Sequence, residues 1–194
     1  MAIVRAAVAG VAGRAMEAAI RGGFRIVEFT LTTPDALDCI AEFSRRPDLL
    51  VGAGTVMTVE QAREAVSRGA RFLVSPVVDA AVIAAARELE VVAVPGAFTP
   101  TEMLAAHRAG APLVKLFPSP GDGPTYVRQA LGPLPFLRLV PTAGVDERNA
   151  AAYLRAGAFA VGFVSSLFAP DELAQRRFDR IEARARMLLA ALRA

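Results

Sequence analysis

The chain of 194 residues has very few of the side chains that hold metals or cross-link a fold. Cys39 is its one cysteine, His107 is its one histidine, and tryptophan is absent. A single cysteine cannot form an internal disulfide, and a single histidine gives no ligand cluster for zinc. No apolar run approaches the roughly 20 residues that a membrane-spanning helix needs. We therefore expect a cytoplasmic protein that uses no metal, no other cofactor and no membrane.

An excess of charge of one sign is also lacking, since the formal net charge is only +3. The arginines are dispersed along the chain, apart from short pairs such as Arg45-Arg46 and Arg176-Arg177. No basic patch is interleaved with aromatic side chains, the pattern that is typical of nucleic-acid binding. The length and a hydrophobic fraction of 54 % suit one globular domain with a full core. We expect no nucleic-acid partner and a single domain spanning residues 1–194.

Lysine is the scarcest basic side chain, because Lys115 is the only lysine among 22 lysines and arginines. It lies in the apolar run Ala111-Pro-Leu-Val-Lys-Leu-Phe-Pro118, where a solvated surface cation is not expected. Arginine keeps its charge under nearly all conditions, whereas a buried lysine can lose its proton and become a nucleophile. The pattern therefore favours a chemical role for the Lys115 amine. The alternative is a lysine that survives in an arginine-biased composition and snorkels to solvent or pairs with a carboxylate.

One sequence pattern recurs four times, beginning at Arg21, Arg68, Arg108 and Arg155. In each repeat an arginine from the last helical turn precedes a glycine suited to a left-handed helix end, and a short apolar run follows at once. Apolar strands without polar alternation are typical of a parallel sheet that is covered on both faces. Successive repeats are 47, 40 and 47 residues apart, so each interval has room for two strand–helix units.

The apolar runs between these junctions supply the remaining strands. They are Ile3 to Val8, Leu49 to Ala53, Val91 to Pro95, and Phe136 to Pro141. Helices are expected to begin near Thr33, Thr58, Asp79, Thr99, Pro124, Asp146 and Asp171. Eight strand–helix units in a chain of this length predict an α/β fold, namely a single (β/α)8 TIM barrel.

Glu28, Ser75, Lys115 and Gly162 each lie seven residues after the arginine of a repeat. Side chains inside such a barrel form layers of four contributed by alternate strands, so we expect these residues to share one interior layer. Glu28 and Lys115 would then face each other across the barrel. The alternative is that the repeat reflects only the packing rules of helix–strand turns. Those rules explain its glycines and valines, but not a carboxylate and an amine.

A lysine in a barrel mouth is surrounded by a low dielectric, which disfavours its charged form. The neutral amine can attack a ketone and form a Schiff base, and the iminium can accept electrons from a carbon–carbon bond that breaks two atoms away. Glu28 is the carboxylate placed to move the protons that these steps need. A structural ion pair between Glu28 and Lys115 is the alternative, although buried pairs add little net stability compared with apolar replacements.

Hydroxyl groups and glycines follow the third, seventh and eighth predicted strands. Glycines beside the threonine that ends the third strand would let a ligand approach the backbone. The loops after strands 7 and 8 form the common phosphate site of this architecture, so we expect an anionic substrate. Small residues here could instead serve tight turns. The residues concerned are Thr55 after strand 3, Thr142 and Gly144 after strand 7, and Gly162, Ser165 and Ser166 after strand 8.

Six motifs occur in order along the chain. They are Val27-Glu-Phe-Thr-Leu-Thr-Thr33, Val51-Gly-Ala-Gly-Thr-Val56, Phe72-Leu-Val-Ser-Pro76, Val94-Pro-Gly-Ala-Phe-Thr-Pro-Thr-Glu102, Val114-Lys-Leu-Phe-Pro118 and Val140-Pro-Thr-Ala-Gly-Val145. Together they resemble the 2-dehydro-3-deoxy-phosphogluconate (KDPG) / 4-hydroxy-2-oxoglutarate (KHG) aldolases. The resemblance implies a class I aldolase that cleaves a small keto acid, KDPG or KHG, to pyruvate and an aldehyde, glyceraldehyde 3-phosphate or glyoxylate. It also implies a homotrimer of (β/α)8 subunits.

The resemblance assigns roles to particular residues by motif. Lys115 matches the Schiff-base lysine, and Glu28 matches the acid/base glutamate. The matched substrate-site residues are Thr55 and Thr142 for pyruvate, Pro76 and Phe117 for the pocket wall, and Gly144, Gly162, Ser165 and Ser166 for the phosphate.

Three departures from the family pattern concern the distal end of the substrate. Thr32 stands where the family often has an arginine, Ala143-Gly144 replaces Gly-Gly, and Gly162-Phe-Val-Ser-Ser166 replaces a Gly-Gly-Ser segment. Threonine cannot hold an anionic group bidentately as arginine does. The resemblance therefore defines the reaction better than the substrate. Two other functions stay open, namely a phosphosugar isomerase or synthase on a phosphate-binding barrel and a barrel that only binds a ligand.

Overall fold

A computed structural model describes residues 1–192, so residues 193–194 of the predicted domain lie outside the described part of the chain. The strands within it are Ala2–Val4 (β1), Ile26–Thr30 (β2), Leu50–Gly54 (β3), Phe72–Val74 (β4), Val92–Val94 (β5), Gly96–Ala97 (β6), Val114–Leu116 (β7) and Leu139–Pro141 (β8). The helices are Ala12–Arg21 (α1), Ala36–Phe43 (α2), Val59–Ser67 (α3), Ala80–Glu88 (α4), Pro100–Arg108 (α5), Gly123–Leu131 (α6), Ala150–Arg155 (α7), Pro170–Ala174 (α8) and Phe178–Ala191 (α9).

The strands form a parallel barrel that closes on itself. β1 to β5 pair in chain order, and β6 to β8 do the same. The two groups meet at Pro95, whose carbonyl accepts a 2.9 Å hydrogen bond from the Lys115 amide. The segment around Gly162 and Phe163 closes the other side, because Gly162 bridges to Thr142 and Phe163 bridges to Ala2. The α/β class and the barrel architecture predicted from the sequence are confirmed.

Several strands differ from their predicted bounds. The strand expected at Leu49 to Ala53 is displaced by one residue, and the one expected at Phe136 to Pro141 begins at Leu139. The first ends at Val4 instead of Val8, because the Ala6 amide donates to Thr33 Oγ1 at 3.1 Å and not to a neighbouring strand. The fifth is divided into β5 and β6, since Pro95 between them has no amide hydrogen to donate. The predicted eighth strand, around Gly162 and Phe163, makes two isolated bridges and no continuous ladder, so it carries no strand label here.

Side-chain caps start the three helices that follow β3, β4 and β6. The side chains of Thr58, Asp79 and Thr99 accept hydrogen bonds from backbone amides in the first turns of α3, α4 and α5, as expected. α7 begins at Ala150, later than the predicted Asp146, because Asp146 and Asn149 first form a turn of their own. In that turn the Asp146 amide donates to Asn149 Oδ1 at 2.9 Å.

A glycine in the left-handed region stands at each of the four helix–strand junctions. The φ angles are +117° at Gly23, +100° at Gly69, +97° at Gly110 and +101° at Gly157. This is the conformation that the sequence repeat predicted, and glycine adopts it without the steric cost that a Cβ atom brings. At the second junction the glycine directly follows Arg68, one residue earlier than at the other three.

The barrel interior is apolar towards the amino ends of the strands. Phe72, Val74 and Val94 form a buried cluster there, and Met1 and Leu113 pack against it. A larger cluster fills the layer between the strands and the surrounding helices. A cavity of about 330 Å³ opens at this end of the barrel, and side chains such as Ile26 and Leu50 line it mainly with hydrocarbon. Polar chemistry is therefore expected at the opposite end, where the strands have their carboxyl ends.

Candidate active site

Lys115 is the central residue of β7 and points into the barrel. It lies two positions after Leu113, which packs in the interior cluster, and alternate residues of a strand face the same side. Its side chain is half-buried, with the Nζ atom 4.7 Å from the centre of the Phe117 ring. The aromatic ring therefore forms one wall beside the amine, while the amine keeps access to the mouth of the barrel.

Glu28 is the central residue of β2 and is 1 % exposed. Its neighbours in the strand register are Ile3 and Gly52, neither of which offers a polar side chain. The Oε2 atom is buried without a hydrogen-bond partner. Within residues 1–192, no salt bridge of 4.0 Å or less includes Glu28 or Lys115. The close ion pair that a purely structural role would require is therefore not formed.

Burial changes the pKa values of both groups. It lowers the pKa of the Lys115 ammonium, an effect reinforced by the Arg5 guanidinium and opposed by the Glu28 carboxylate. It raises the pKa of the Glu28 carboxyl, an effect opposed by the charges of Lys115, the N-terminal ammonium of Met1 and Arg5. Both shifts favour the uncharged forms, because each ion loses its hydration inside the barrel. A lowered lysine pKa and a raised carboxyl pKa are the directions of change that imine formation with general acid catalysis needs.

Arg5 is a site residue that the sequence reasoning missed. It directly follows β1 and acts electrostatically on both Glu28 and Lys115. Its side chain also lines a cavity of about 350 Å³ beside the mouth, between the loop after β1 and helix α8. The signal that could have revealed it is its position, since Arg5 interrupts an apolar β-type run much as Lys115 does.

Thr55 follows β3 and has a φ of +58°. A β-branched residue rarely adopts this left-handed conformation, and such strained backbone occurs most often at functional sites. The sequence suggested that Gly52 and Gly54 leave open space for a ligand, but the structure shows both spaces to be occupied. A Cβ atom at Gly52 would lie 2.3 Å from the Phe72 ring, and the space beside Gly54 is occupied by the Glu28 side chain.

Thr142 follows β8 and is buried, with its Oγ1 atom lacking a hydrogen-bond partner. Buried polar atoms are almost always paired in folded proteins, so an unpaired hydroxyl at the mouth of a barrel is suited to bind a ligand. Pro76 is half-buried after β4, where its carbonyl oxygen lies 2.3 Å from the position of a Cβ atom on Gly96. Phe117, Thr142 and Pro76 therefore all lie at the carboxyl ends of strands, around the mouth.

Ser75 is the one member of the predicted interior layer that the structure does not place there. Its hydroxyl donates to the Val77 carbonyl at 2.6 Å, in the loop after β4. Val74 occupies the interior cluster instead, so the neighbouring residue Ser75 faces the other way. The reason is the earlier glycine of the second repeat, which shifts the strand by one residue and exchanges its two faces.

The residues expected to bind a phosphate differ in their accessibility. Gly144, with φ +71°, has no atom within 4 Å of the position of a Cβ atom, and Ser165 is exposed. Gly162 is packed, since a Cβ atom there would lie 2.7 Å from the side chains of both Ile3 and Thr142. The Ser166 hydroxyl donates to the Val145 carbonyl at 2.5 Å. Gly144 and Ser165 are thus open to a ligand, whereas Gly162 and Ser166 already make protein contacts.

A chain of threonine hydroxyls follows β2. Thr30 Oγ1 lies 3.1 Å from Thr32 Oγ1 and 3.3 Å from Thr33 Oγ1, and Thr33 accepts the amide of Ala6. This network connects the end of β2 to the residue after Arg5. Thr32, which stands where the resembling family often has an arginine, contacts only Thr30 in this network, whereas Thr33 holds the amide of Ala6, the residue after Arg5.

Solved structures of known function share this barrel. A solved structure described as native KDPGal aligns with a TM-score of 0.90 and 30 % identity over 99 % of this chain and 93 % of that one. The KDPG aldolase of Legionella pneumophila, captured with pyruvate as a covalent carbinolamine, aligns with a TM-score of 0.84 and 26 % identity over 96 % and 93 % of the two chains. A 3-hexulose-6-phosphate synthase at 20 % identity, TM-score 0.74, shares the fold alone.

The interior lysine and glutamate on this barrel define the protein as a class I aldolase, a carbon–carbon lyase. The sequence model described as KDPG and KHG aldolase matches residues 1–184, and the chain belongs to that family. A probable 2-dehydro-3-deoxy-6-phosphogalactonate (KDPGal) aldolase of Rhizobium meliloti (strain 1021) is 39 % identical over 156 residues, 79 % of this chain and 74 % of that protein. The KHG/KDPG aldolase of Escherichia coli (strain K12) is 33 % identical over 172 residues, 88 % and 81 % of the two chains.

The family predicted from the six motifs is thus confirmed, and the isomerase and ligand-binding alternatives are excluded by family membership. No helix among residues 1–192 has the length and apolar character that would let it cross a membrane.

Proposed function

We propose that the protein cleaves KDPG, KHG or both to pyruvate and an aldehyde through a Schiff base on Lys115. One observation carries the proposal. The chain's only lysine lies in the barrel interior, where it interacts electrostatically with the buried Glu28 carboxyl group, whose Oε2 atom has no hydrogen-bond partner. The substrate is a small 2-keto-4-hydroxy acid, and the aldehyde is glyceraldehyde 3-phosphate or glyoxylate.

The reaction begins with attack of the neutral Lys115 Nζ on the C2 carbonyl of the substrate. Protonated Glu28 gives its proton to the carbinolamine hydroxyl, which leaves as water and creates an iminium. The Glu28 carboxylate then takes the proton of the C4 hydroxyl, the C3–C4 bond breaks, and its electrons form an enamine while the aldehyde leaves. Glu28 returns this proton to C3, and water then adds to the iminium and loses a proton to the Glu28 carboxylate, which releases pyruvate and restores the neutral Lys115 amine and the protonated acid. Each cationic intermediate coincides with an ionised Glu28, so the interior stays close to neutral throughout.

Other residues at the mouth would hold the substrate. Thr142 Oγ1, which has no hydrogen-bond partner, and Thr55 would donate hydrogen bonds to the pyruvate half, and Arg5 would provide a permanent positive charge for a carboxylate. Pro76 and Phe117 would line the pocket, and Gly144 and Ser165 are accessible for a distal phosphate, with Gly162 and Ser166 supporting the same loops. Measured kcat/KM values for KDPG, KDPGal and KHG would assign the substrate.

Reductive trapping tests the lysine. Incubation with pyruvate and borohydride should give one covalent adduct that peptide mapping assigns to Lys115, because the neutral amine forms an imine that the hydride reduces. Lys115→Arg should form no adduct on that peptide and should lose retro-aldol turnover by at least about 10³-fold, since a guanidinium keeps its charge and cannot serve as the nucleophile. Turnover retained by Lys115→Arg, or trapping that leaves Lys115 unmodified, would rule out the proposed mechanism.

We also propose that the protein is a homotrimer. Met57, Val77 and Phe98 are 44 %, 46 % and 39 % exposed, although they are large apolar side chains. They follow β3, β4 and the divided strand made of β5 and β6, which are neighbours in the barrel wall, so they lie on one side of the mouth. Neighbouring exposed apolar side chains of this kind are typical of a surface that another protein copy covers.

A further inference from the structure

Gly54 is the last residue of β3 and faces the barrel interior beside Glu28. A Cβ atom built on Gly54 would lie 1.9 Å from Glu28 Oε1, 2.8 Å from Cδ and 3.1 Å from Cγ. Real Cβ atoms essentially never approach another heavy atom to less than 3.0 Å. The carboxyl group of Glu28 therefore occupies the space that any side chain at position 54 would need.

The surroundings of Glu28 limit the directions in which its side chain can move. Its backbone is held on both sides, because Ile3 of β1 and Gly52 of β3 are its register partners. The space over Gly52 is already filled by the Phe72 ring, which would lie 2.3 Å from a Cβ atom there. The two glycines of β3 thus accommodate different groups. Gly52 leaves space for the Phe72 ring, and Gly54 leaves space for the Glu28 carboxyl group. A methyl group at position 54 would push the carboxyl group towards the mouth.

We propose that Gly54 is a positioning residue for the reaction, because its missing side chain fixes where the Glu28 carboxyl group points. The orphan Oε2 atom is left free for substrate only while Oε1 rests in the space over Gly54. This inference depends on the acid/base role proposed for Glu28. According to this inference, Gly54 in the segment Gly52-Ala53-Gly54-Thr55 supports proton transfer and does not bind the substrate.

The test compares proton transfer with imine formation. Exchange of the pyruvate methyl protons with D₂O, followed by NMR, reports the step that Glu28 performs, and borohydride trapping reports the Lys115 imine. We expect Gly54→Ala to slow the exchange by about 10²-fold, the scale of a general acid–base contribution, with less than about threefold change in KM for pyruvate. Trapping on Lys115 should persist. Ala53→Gly is the matched control, since Ala53 is buried in the outer core and faces away from Glu28.

A double-mutant cycle separates this effect from general damage. Aspartate is one methylene shorter than glutamate, so Glu28→Asp removes the oxygen that would lie 1.9 Å from a Cβ atom at position 54. The nearest remaining positions are those of Cδ and Cγ, at 2.8 Å and 3.1 Å, so most of the clash with a methyl group should be relieved. Adding Gly54→Ala to Glu28→Asp should then slow exchange by less than about threefold beyond the single Glu28→Asp variant. Folding of the double variant when Gly54→Ala alone does not fold would also support the proposal.

Two results would overturn the inference. One is exchange in Gly54→Ala within about threefold of wild type. The other is an equal loss whether position 28 carries glutamate or aspartate, including a double variant that does not fold. Glu28→Gln distinguishes this failure from failure of the proposed function. If Glu28→Gln exchanges methyl protons at the wild-type rate, the acid/base role is wrong. If Glu28→Gln is inactive while Gly54→Ala is normal, only the inference about Gly54 fails.

Discussion

Glu28 lies in surroundings that disfavour an ionised carboxylate, and this has a consequence for stability as well as for catalysis. Its pKa is raised because burial removes the water that would solvate the charge. A group whose pKa is higher in the folded state contributes stability below its unfolded pKa, here 4.5, and loses that contribution as the pH rises through the folded value. The residue that performs proton transfer should therefore reduce the stability of the fold at neutral and alkaline pH.

Glu28→Gln should accordingly raise the free energy of unfolding at pH 8 by on the order of 1 kcal/mol while abolishing turnover, because a neutral amide replaces a poorly solvated carboxylate. The gain should shrink as the pH falls towards 4.5, where the wild-type carboxyl group is protonated in both states. Guanidinium unfolding at several pH values measures this. A Glu28→Gln protein that is less stable than wild type at pH 8, or a gain that does not depend on pH, would contradict the assignment.

Helix α1 and the C-terminal helix α9 approach each other closely at the end of α1. Gly22 is the residue that permits the contact, since a Cβ atom there would lie 2.3 Å from Ala185 Cβ and 2.9 Å from the Glu182 carbonyl oxygen. Its φ of −72° is one that any residue adopts. The adjacent Gly23, with φ +117°, provides the turn. Two glycines that look equivalent in the sequence thus have different functions, one in packing and one in chain direction.

Alanine substitutions at the helix ends should distinguish the stability cost of tight packing from the cost of a left-handed backbone conformation. Gly22→Ala should lower the free energy of unfolding by about 2 kcal/mol or more, because rigid atoms of α9 must move. Gly110→Ala should cost about 1 kcal/mol, since its φ of +97° is unfavourable for alanine although no atom lies within 4 Å of the added Cβ. Denaturant unfolding with unchanged m-values would give both numbers. An equal cost at the two positions would show that the α1–α9 contact is not tight.

The whole molecule presents apolar side chains on one side of its mouth, which is why a trimer is proposed. A trimer should have three times the 20.4 kDa mass of one chain in light scattering after size-exclusion chromatography. Met57→Lys should shift the protein towards monomer, because a charge would be buried in the interface. Met187→Lys is the matched control, since Met187 is 58 % exposed on α9, away from that side. A monomeric wild type, or dissociation by Met187→Lys alone, would refute the proposed interface.

Local chemistry in the sequence determined much of the protein. The arginine–glycine repeats specify left-handed helix ends followed by apolar strands, so the (β/α)8 barrel could be predicted from short-range patterns. Lys115 could be singled out because a lone lysine in an apolar run has few structural uses, and Glu28 because it occupies the same position in the repeat. Caps such as Thr58 and Asp79 likewise depend only on residues within one helical turn.

Features that depend on contacts between distant segments of the chain were decided only by the tertiary structure. The orientation of Ser75 followed from a glycine six residues earlier that shifts the strand by one position. Arg5 joins the site because parallel strands bring their carboxyl ends to one rim, although it lies 110 residues from Lys115 in the chain. The space that Gly54 leaves for Glu28 exists between two neighbouring strands and in neither alone. Sequence patterns report local conformation, whereas a site is a set of distances across the barrel that only closure of the fold defines.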